Sequence, residues 1–268
     1  MVKKAIMKFY LGLVLLFMYL PIIVLIIFSF NKSKSRGSWT GFTLKWYSQL
    51  FENSQIMDSL YNTLIIALLS SVIAVIIGTV AAIGIHNMKK IKRNIVMNLT
   101  YLPVLNPDIV TGVSLMMLFV FIGTLTNLQL GFLTMLLAHI TFNIPYVILS
   151  VLPKLKQMNK HMYEAALDLG ATSFYALRKV ILPEIMPGII SGFLMALTLS
   201  IDDFVISYFT TGSGFSNLSI TIYSMARTGV KPTINALSTL MFGAVLFMLF
   251  IINIRSSREE KRNKQFNN

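Results

Sequence analysis

Six apolar stretches, each close to twenty residues or longer and almost free of charge, dominate this chain: about 9–30, 60–85, 98–122, 131–152, 186–210 and 236–254. About 20 apolar residues at 1.5 Å per residue match the ~30 Å hydrocarbon thickness of a bilayer. No water is available there, so each backbone N–H and C=O must find its partner inside the protein. Runs of this length satisfy that as helices. The chain is therefore expected to be an all-α integral membrane protein with six transmembrane helices. Its composition agrees, with 55% hydrophobic and 12% charged residues and a mean hydropathy of +0.72. Lys3, Lys4 and Lys8 before the first run resemble the start of a signal peptide. That run is too long for a signal core and no small-x-small cleavage site follows it, so an uncleaved first span is expected.

The net charge of +13 is sorted by the apolar runs. Placing the N-terminus inside puts seventeen of the 23 Lys and Arg on one side of the membrane: around Lys3, at Lys89–Arg93, around Lys154 to Lys179, and from Arg255 on. Lys32, Lys34, Arg36, Lys45, Arg227 and Lys231 fall on the other. Basic residues concentrate in cytoplasmic loops, so both termini are expected in the cytoplasm. The same sorting argues against nucleic acid as a partner. There are no cysteines, which excludes disulfides and thiolate metal sites and leaves the redox compartment open.

One polar segment between runs, residues 160–183, has a pattern of its own. Met162, Ala165, Ala166 and Leu169 recur at i, i+3, i+4 and i+7, one face of a helix. Gly170 suits the left-handed residue that closes such a helix. Phe174, Leu177 and Ile181 form a second stripe, which Pro183 and Pro187 are expected to limit. Periodicity alone fits an amphipathic helix on the membrane surface equally well. The identities add more: Glu164-Ala165-Ala166, then Gly170, then Val180-x-Leu182-Pro183, is similar to the E-A-A-x3-G-x9-I-x-L-P signature of ABC-importer permease subunits. The one departure is Val180, a methylene short of Ile. The resemblance implies a MetI-like transmembrane domain with a cytoplasmic coupling helix seated on an ATPase subunit. Glu164, Ala165, Ala166, Gly170, Leu182 and Pro183 would form that joint.

Polar residues inside the spans mark candidate positions along a substrate path. In the third span, Pro103 and Pro107 precede Asp108. A broken helix along a polar path would satisfy the carbonyls that prolines free. Alternatively, Asp108 is a plain N-terminal helix acid, or lies about 20 Å inward if the helix is unbroken from Ile95. In the fourth span His139 stands without a second histidine at ligand spacing, so a packing role is expected and no metal. The fifth span carries Gly192, Ala196, Ser200, Asp203, Ser207 and Thr210 as one small and polar helical stripe, with Asp202 beside it. A carboxylate at bilayer depth costs about 2.5–3.5 kcal/mol on insertion scales. Two without a cation in the same span predict a water-filled path for a positively charged solute. Trp46, with Trp39 and Tyr47, reads as an interfacial aromatic belt, or more sharply as a π face offered to a cation at the outer mouth.

Leu199 to Ser207 with its double Asp, Asn106 to Gly112, Ile222 to Met225 and Pro232 to Leu237 resemble the spermidine/putrescine permeases of the PotC type within that family. The resemblance covers essentially the whole chain as one transmembrane domain. It divides into 1–58 (first span and outer loop), a 59–255 core holding the coupling segment, and a 256–268 cytoplasmic tail. It implies a cell-membrane permease for polyamines working by alternating access, with Asp202, Asp203, Asp108, Ser200 and Ser207 along the path and Trp46 at its mouth. Implied partners are an ATPase dimer, a homologous second permease and an extracytoplasmic polyamine-binding protein. No phosphate-binding G-x4-G-K-[ST] loop occurs, so no cofactor and no enzymatic activity are expected in this chain, and ATP would be bound by its partner. Two alternatives fit the same acids: an ABC permease for another solute, such as a metal ion or amino acid, and an ion-coupled secondary cation transporter.

Overall fold

The computed structural model describes residues 2–33, 38–159, 161–228 and 232–247. Lys34, Arg36, Lys160, Gly229, Lys231, the end of the expected sixth span and the tail 256–268 lie outside the described residues. Helices account for nearly all of the rest, and one isolated bridge joins Asn31 and Phe42.

In chain order the helices are α1 Val2–Ser29, α2 Lys45–Glu52, α3 Ser54–His86, α4 Lys90–Leu105, α5 Asp108–Thr126 and α6 Phe132–Gln157. They continue as α7 His161–Asp168, α8 Ser173–Ala176, a π-helical turn Leu177–Ile181, α9 Leu182–Asp202, α10 Val205–Thr210, α11 Leu218–Arg227 and α12 Pro232–Phe247. Five described helical stretches are long and apolar enough to cross a membrane: Ile6–Ser29, Ser54–His86, Asp108–Thr126, Phe132–Gln157 and Ser173–Asp202. The shorter α12 is apolar as well.

Of the readings left open for the third span, the structure has the broken helix: α4 ends at Leu105, Asn106 is extended (φ −78°, ψ 139°), and α5 begins at Asp108. Pro107 disfavours helical geometry at Asn106 and then, lacking a donor itself, fits the entry to the next helix. The fifth expected span is corrected, being displaced. Pro183 and Pro187 do not stop the helix, which runs from Ser173 to Asp202 and breaks instead at Asp203 and Phe204. The π-turn explains the tolerance of Pro183: Leu182 N–H donates to the Leu177 carbonyl, five residues back. The ladder is thus already out of α register where proline interrupts it.

The chain forms two units, one of residues 1–58 with 221–268, the other 59–220. In the first, the end of α1 is tied down locally. Ser29 Oγ lies 2.8 Å from Tyr47 Oη, and Phe30 stacks on Phe42 and Tyr47 at 5.4 and 5.3 Å between ring centroids.

In the second unit α6 is the central helix, with twelve buried residues. Small side chains let its neighbours approach. A β-carbon on Gly78 of α3 would sit 2.8 Å from Val147 Cβ, and one on Gly192 of α9 would sit 3.3 Å from Val147 Cα. Gly188 faces Ser150 and Val151 just as closely. Lipid tails are as apolar as leucine, so close backbone approach, not hydrophobicity, is what draws such helices together. Ala74, Ala82, Ile148, Val151, Leu155 and Ile185 complete the core around these contacts.

Candidate functional site

The segment 161–183 folds as two short helices about a glycine. α7 ends in a paired closure in which Ala171 N–H donates to Ala166 O (3.0 Å) and Gly170 N–H to Leu167 O (2.9 Å). This requires a left-handed residue at the corner, and Gly170 has φ +86°. Thr172 then caps α8, its Oγ1 accepting from Tyr175 N–H at 3.3 Å. Leu177, Leu182 and Tyr163 lean on the core cluster, while Ile181 is buried within it. No residue of α7 is buried. Leu169 is 89% exposed and Phe174 71%, flanking the concave corner formed by Ala166, Gly170, Ala171 and Tyr175. Glu164 and Ala165 are exposed, Ala166 and Leu182 half-buried, and Pro183 exposed. A helix–glycine–helix joint with exposed apolar side chains and a hollow beside it suits a protein partner.

The acidic residues gather around the two helix breaks. Gly112 of α5 packs on the first turn of α10, where a β-carbon would meet Phe209 at 3.0 Å and Ile206 Cα at 3.4 Å. Asp108 begins α5 one turn before Gly112, and Asp202 ends α9 just before α10. Both Asp108 and Asp202 are exposed. Asp108 sits where the positive end of the α5 dipole favours an anion. Asp202 sits at the negative end of α9, where the dipole disfavours one and adds to the pull on a cation.

Asp203, expected along the path, has different surroundings. Its side chain is 9% exposed and its oxygens are occupied. Oδ2 accepts Ser207 N–H at 2.7 Å and Oδ1 accepts Ile206 N–H at 3.3 Å, capping α10, and His139 Nε2 lies 3.5 Å from Oδ2. Ser200 and Ser207 are buried, as is the rest of the stripe, Gly192, Ala196 and Thr210. Ser200 Oγ accepts from Asn143 Nδ2 (2.8 Å) and pairs with Ser70 (3.1 Å); Ser207 Oγ pairs with His139 (2.9 Å) and accepts from Asn217 Nδ2 (2.8 Å). The two serines are thus satisfied by side chains of other elements, while His139 Nδ1 and Asn143 Oδ1 stay buried without a protein partner among the described residues. Trp46 offers no open ring face: it is 5% exposed and its indole N–H donates to Asn31 O at 2.7 Å.

His139 packs against α10, its Nε2 2.9 Å from Ser207 Oγ. The capping of α10 by Asp203 and the tie to Asn217 go beyond the sequence reading. Asp four residues before Ser207 is a visible cue, but the histidine partner comes from another helix.

Comparison with known proteins decides the family. Residues 74–257 match the family described as a binding-protein-dependent transport system inner membrane component. The chain belongs to this family. As such a component it is a multi-pass protein of the cytoplasmic membrane, and its relatives are transport permeases, not enzymes. It is 38% identical over 247 residues, 92% of each chain, to the spermidine/putrescine transport system permease protein PotC of Escherichia coli K12. It is 39% identical over 249 residues, 92% of this chain and 89% of the relative, to the putrescine transport system permease protein PotI of the same strain. Among solved structures it resembles a bacterial ABC transporter involved in import of the acidic polysaccharide alginate. There the TM-score is 0.74 at 19% identity, covering 96% of this chain and 95% of that one. That likeness establishes a fold shared with ABC-importer permeases.

Proposed function

We propose that this chain is a permease subunit of an ATP-driven importer of polyamines, spermidine or putrescine, and that it forms part of the translocation path by alternating access. The named substrates of its 38–39% identical relatives support the solute class. The observation in this chain that carries it is Asp202, an exposed carboxylate with no hydrogen-bond or ion-pair partner among the described residues, at the negative end of α9. An ammonium group is the complement of such a place, and Asp108, exposed at the α4–α5 break, offers a second carboxylate for a second ammonium.

In this reading six spans cross the membrane with both termini in the cytoplasm, residues 59–255 form the core and 1–58 add the first span and outer loop. The joint of Glu164, Ala165, Ala166, Gly170, Leu182 and Pro183 transmits movement from an ATPase dimer, where ATP is bound; this chain holds no cofactor. A homologous second permease completes the path, and an extracytoplasmic binding protein delivers the polyamine. One solved relative of the fold, the alginate transporter, is a complex with a periplasmic protein.

The test is radiolabelled spermidine and putrescine uptake by cells that depend on this importer. Asp202→Asn is expected to lower uptake efficiency about tenfold, the order of one lost charged contact. Uptake that is unaffected by excess polyamine but competed by an amino acid or metal ion would sink the substrate assignment.

A further inference from the structure

The two adjacent acids have different surroundings, and this difference points to a division of labour. We propose that Asp203 and His139 are positioning residues: they hold the α9–α10 break open and so aim Asp202, without either touching the solute. The proposal rests on the permease reading for what Asp202 meets, but not for the geometry itself.

Ser200 and Ser207 flank the break, and each is tied to α6, Ser200 to Asn143 at 2.8 Å and Ser207 to His139 at 2.9 Å. Between them the chain leaves the helix: Asp203 is extended (φ −64°, ψ 124°), and Phe204 comes next at φ −109°. Breaking a helix in a membrane leaves N–H groups of the new helix without partners. The Asp203 carboxylate takes two of them, on Ile206 and Ser207. His139, fully buried, approaches both Ser207 and the same carboxylate, and Asn217 Nδ2 reaches the Asp203 carbonyl (3.2 Å) and Ser207. If this cluster is lost, the cheapest repair is to close the break into one continuous helix, which restores the backbone ladder. Each residue added to the helix rotates the downstream chain by about 100° and shifts it about 1.5 Å. Asp202 then ceases to be a terminal residue at an open corner.

A capping role and a ligand role predict opposite responses to a neutral isostere. Asn caps helices as well as Asp does, whereas Ala does not. In cells producing the complete importer, Asp203→Asn and His139→Gln are expected to keep KM and maximal rate within about threefold of the parent, because the Asn oxygen still caps one N–H and Gln still reaches Ser207. Asp203→Ala and His139→Leu should lower efficiency about tenfold, the size of a lost cap or buried hydrogen bond. Asp202→Asn should lower it despite being isosteric. The absence of native cysteines allows a second readout that needs no substrate. With Asp202→Cys, a cationic methanethiosulfonate should label the chain readily, about fivefold more slowly once Asp203→Ala is added, and at the original rate with Asp203→Asn. The inference is overturned if Asp203→Asn abolishes uptake as Asp202→Asn does, or if labelling is unchanged by Asp203→Ala. Should the solute not be a polyamine, the uptake comparison fails in the parent protein while the labelling comparison still decides the geometry.

Discussion

At the scale of single residues, the packing of α3, α6 and α9 turns on atoms that are missing. Val147 stands between Gly78 and Gly192, and a side chain on either glycine would collide with it. Gly78→Leu is expected to destabilise the protein by about 1–3 kcal/mol, as overpacking does. Val147→Ala added to it should recover part of that loss, because the two changes share one space. Thermal unfolding midpoints of the detergent-purified single and double variants measure this, and equal midpoints would count against the contact. The small residues are plain in the sequence. What they face is not: Gly192, Ala196 and Ser200 read as the edge of a polar path, yet they form the surface on which α9 meets α6. A stripe of small and polar residues is compatible with water or with another helix, and only the neighbouring helix distinguishes them.

At the scale of elements, the joint of α7 and α8 is legible almost residue by residue. Local patterning sets its form: an amphipathic turn, a glycine with positive φ, a threonine cap. Gly170→Val would place a β-branched residue at φ +86°, a conformation costing roughly 1–2 kcal/mol for an L-residue. Leu169→Asp leaves the helix intact but puts a charge on the most exposed apolar residue of the joint, just past the end of α7. Both variants should still reach the membrane, and both should lose co-purification with the ATPase subunit. Retention of the ATPase by Leu169→Asp would remove this face from the proposed contact. The prolines defeat a purely local reading for a reason on the same scale. Pro183 reads as a stop from the α-helical ladder alone, and the π-turn before it is a tertiary accommodation that brings Ile181 and Ile185 into the core.

At the scale of the whole molecule, the charge sorting predicts sidedness. Single cysteines introduced at Leu169 and at Asn127, in a chain that has none, should be labelled by impermeant reagent from opposite sides of the membrane. Position 169 should react from the cytoplasm. Reaction of both from one side would invalidate the topology on which the coupling role depends. The all-helical membrane class, the family and the joint at Gly170 are determined by the sequence alone, because each arises from local facts: run length against bilayer thickness, the identities of one short motif, and spacing within one turn. The different surroundings of Asp202 and Asp203 are decided only in the tertiary structure. Adjacent carboxylates are equivalent in a sequence, and they become different when His139 from another helix and the amides of a broken helix claim one of them and leave the other at an open corner.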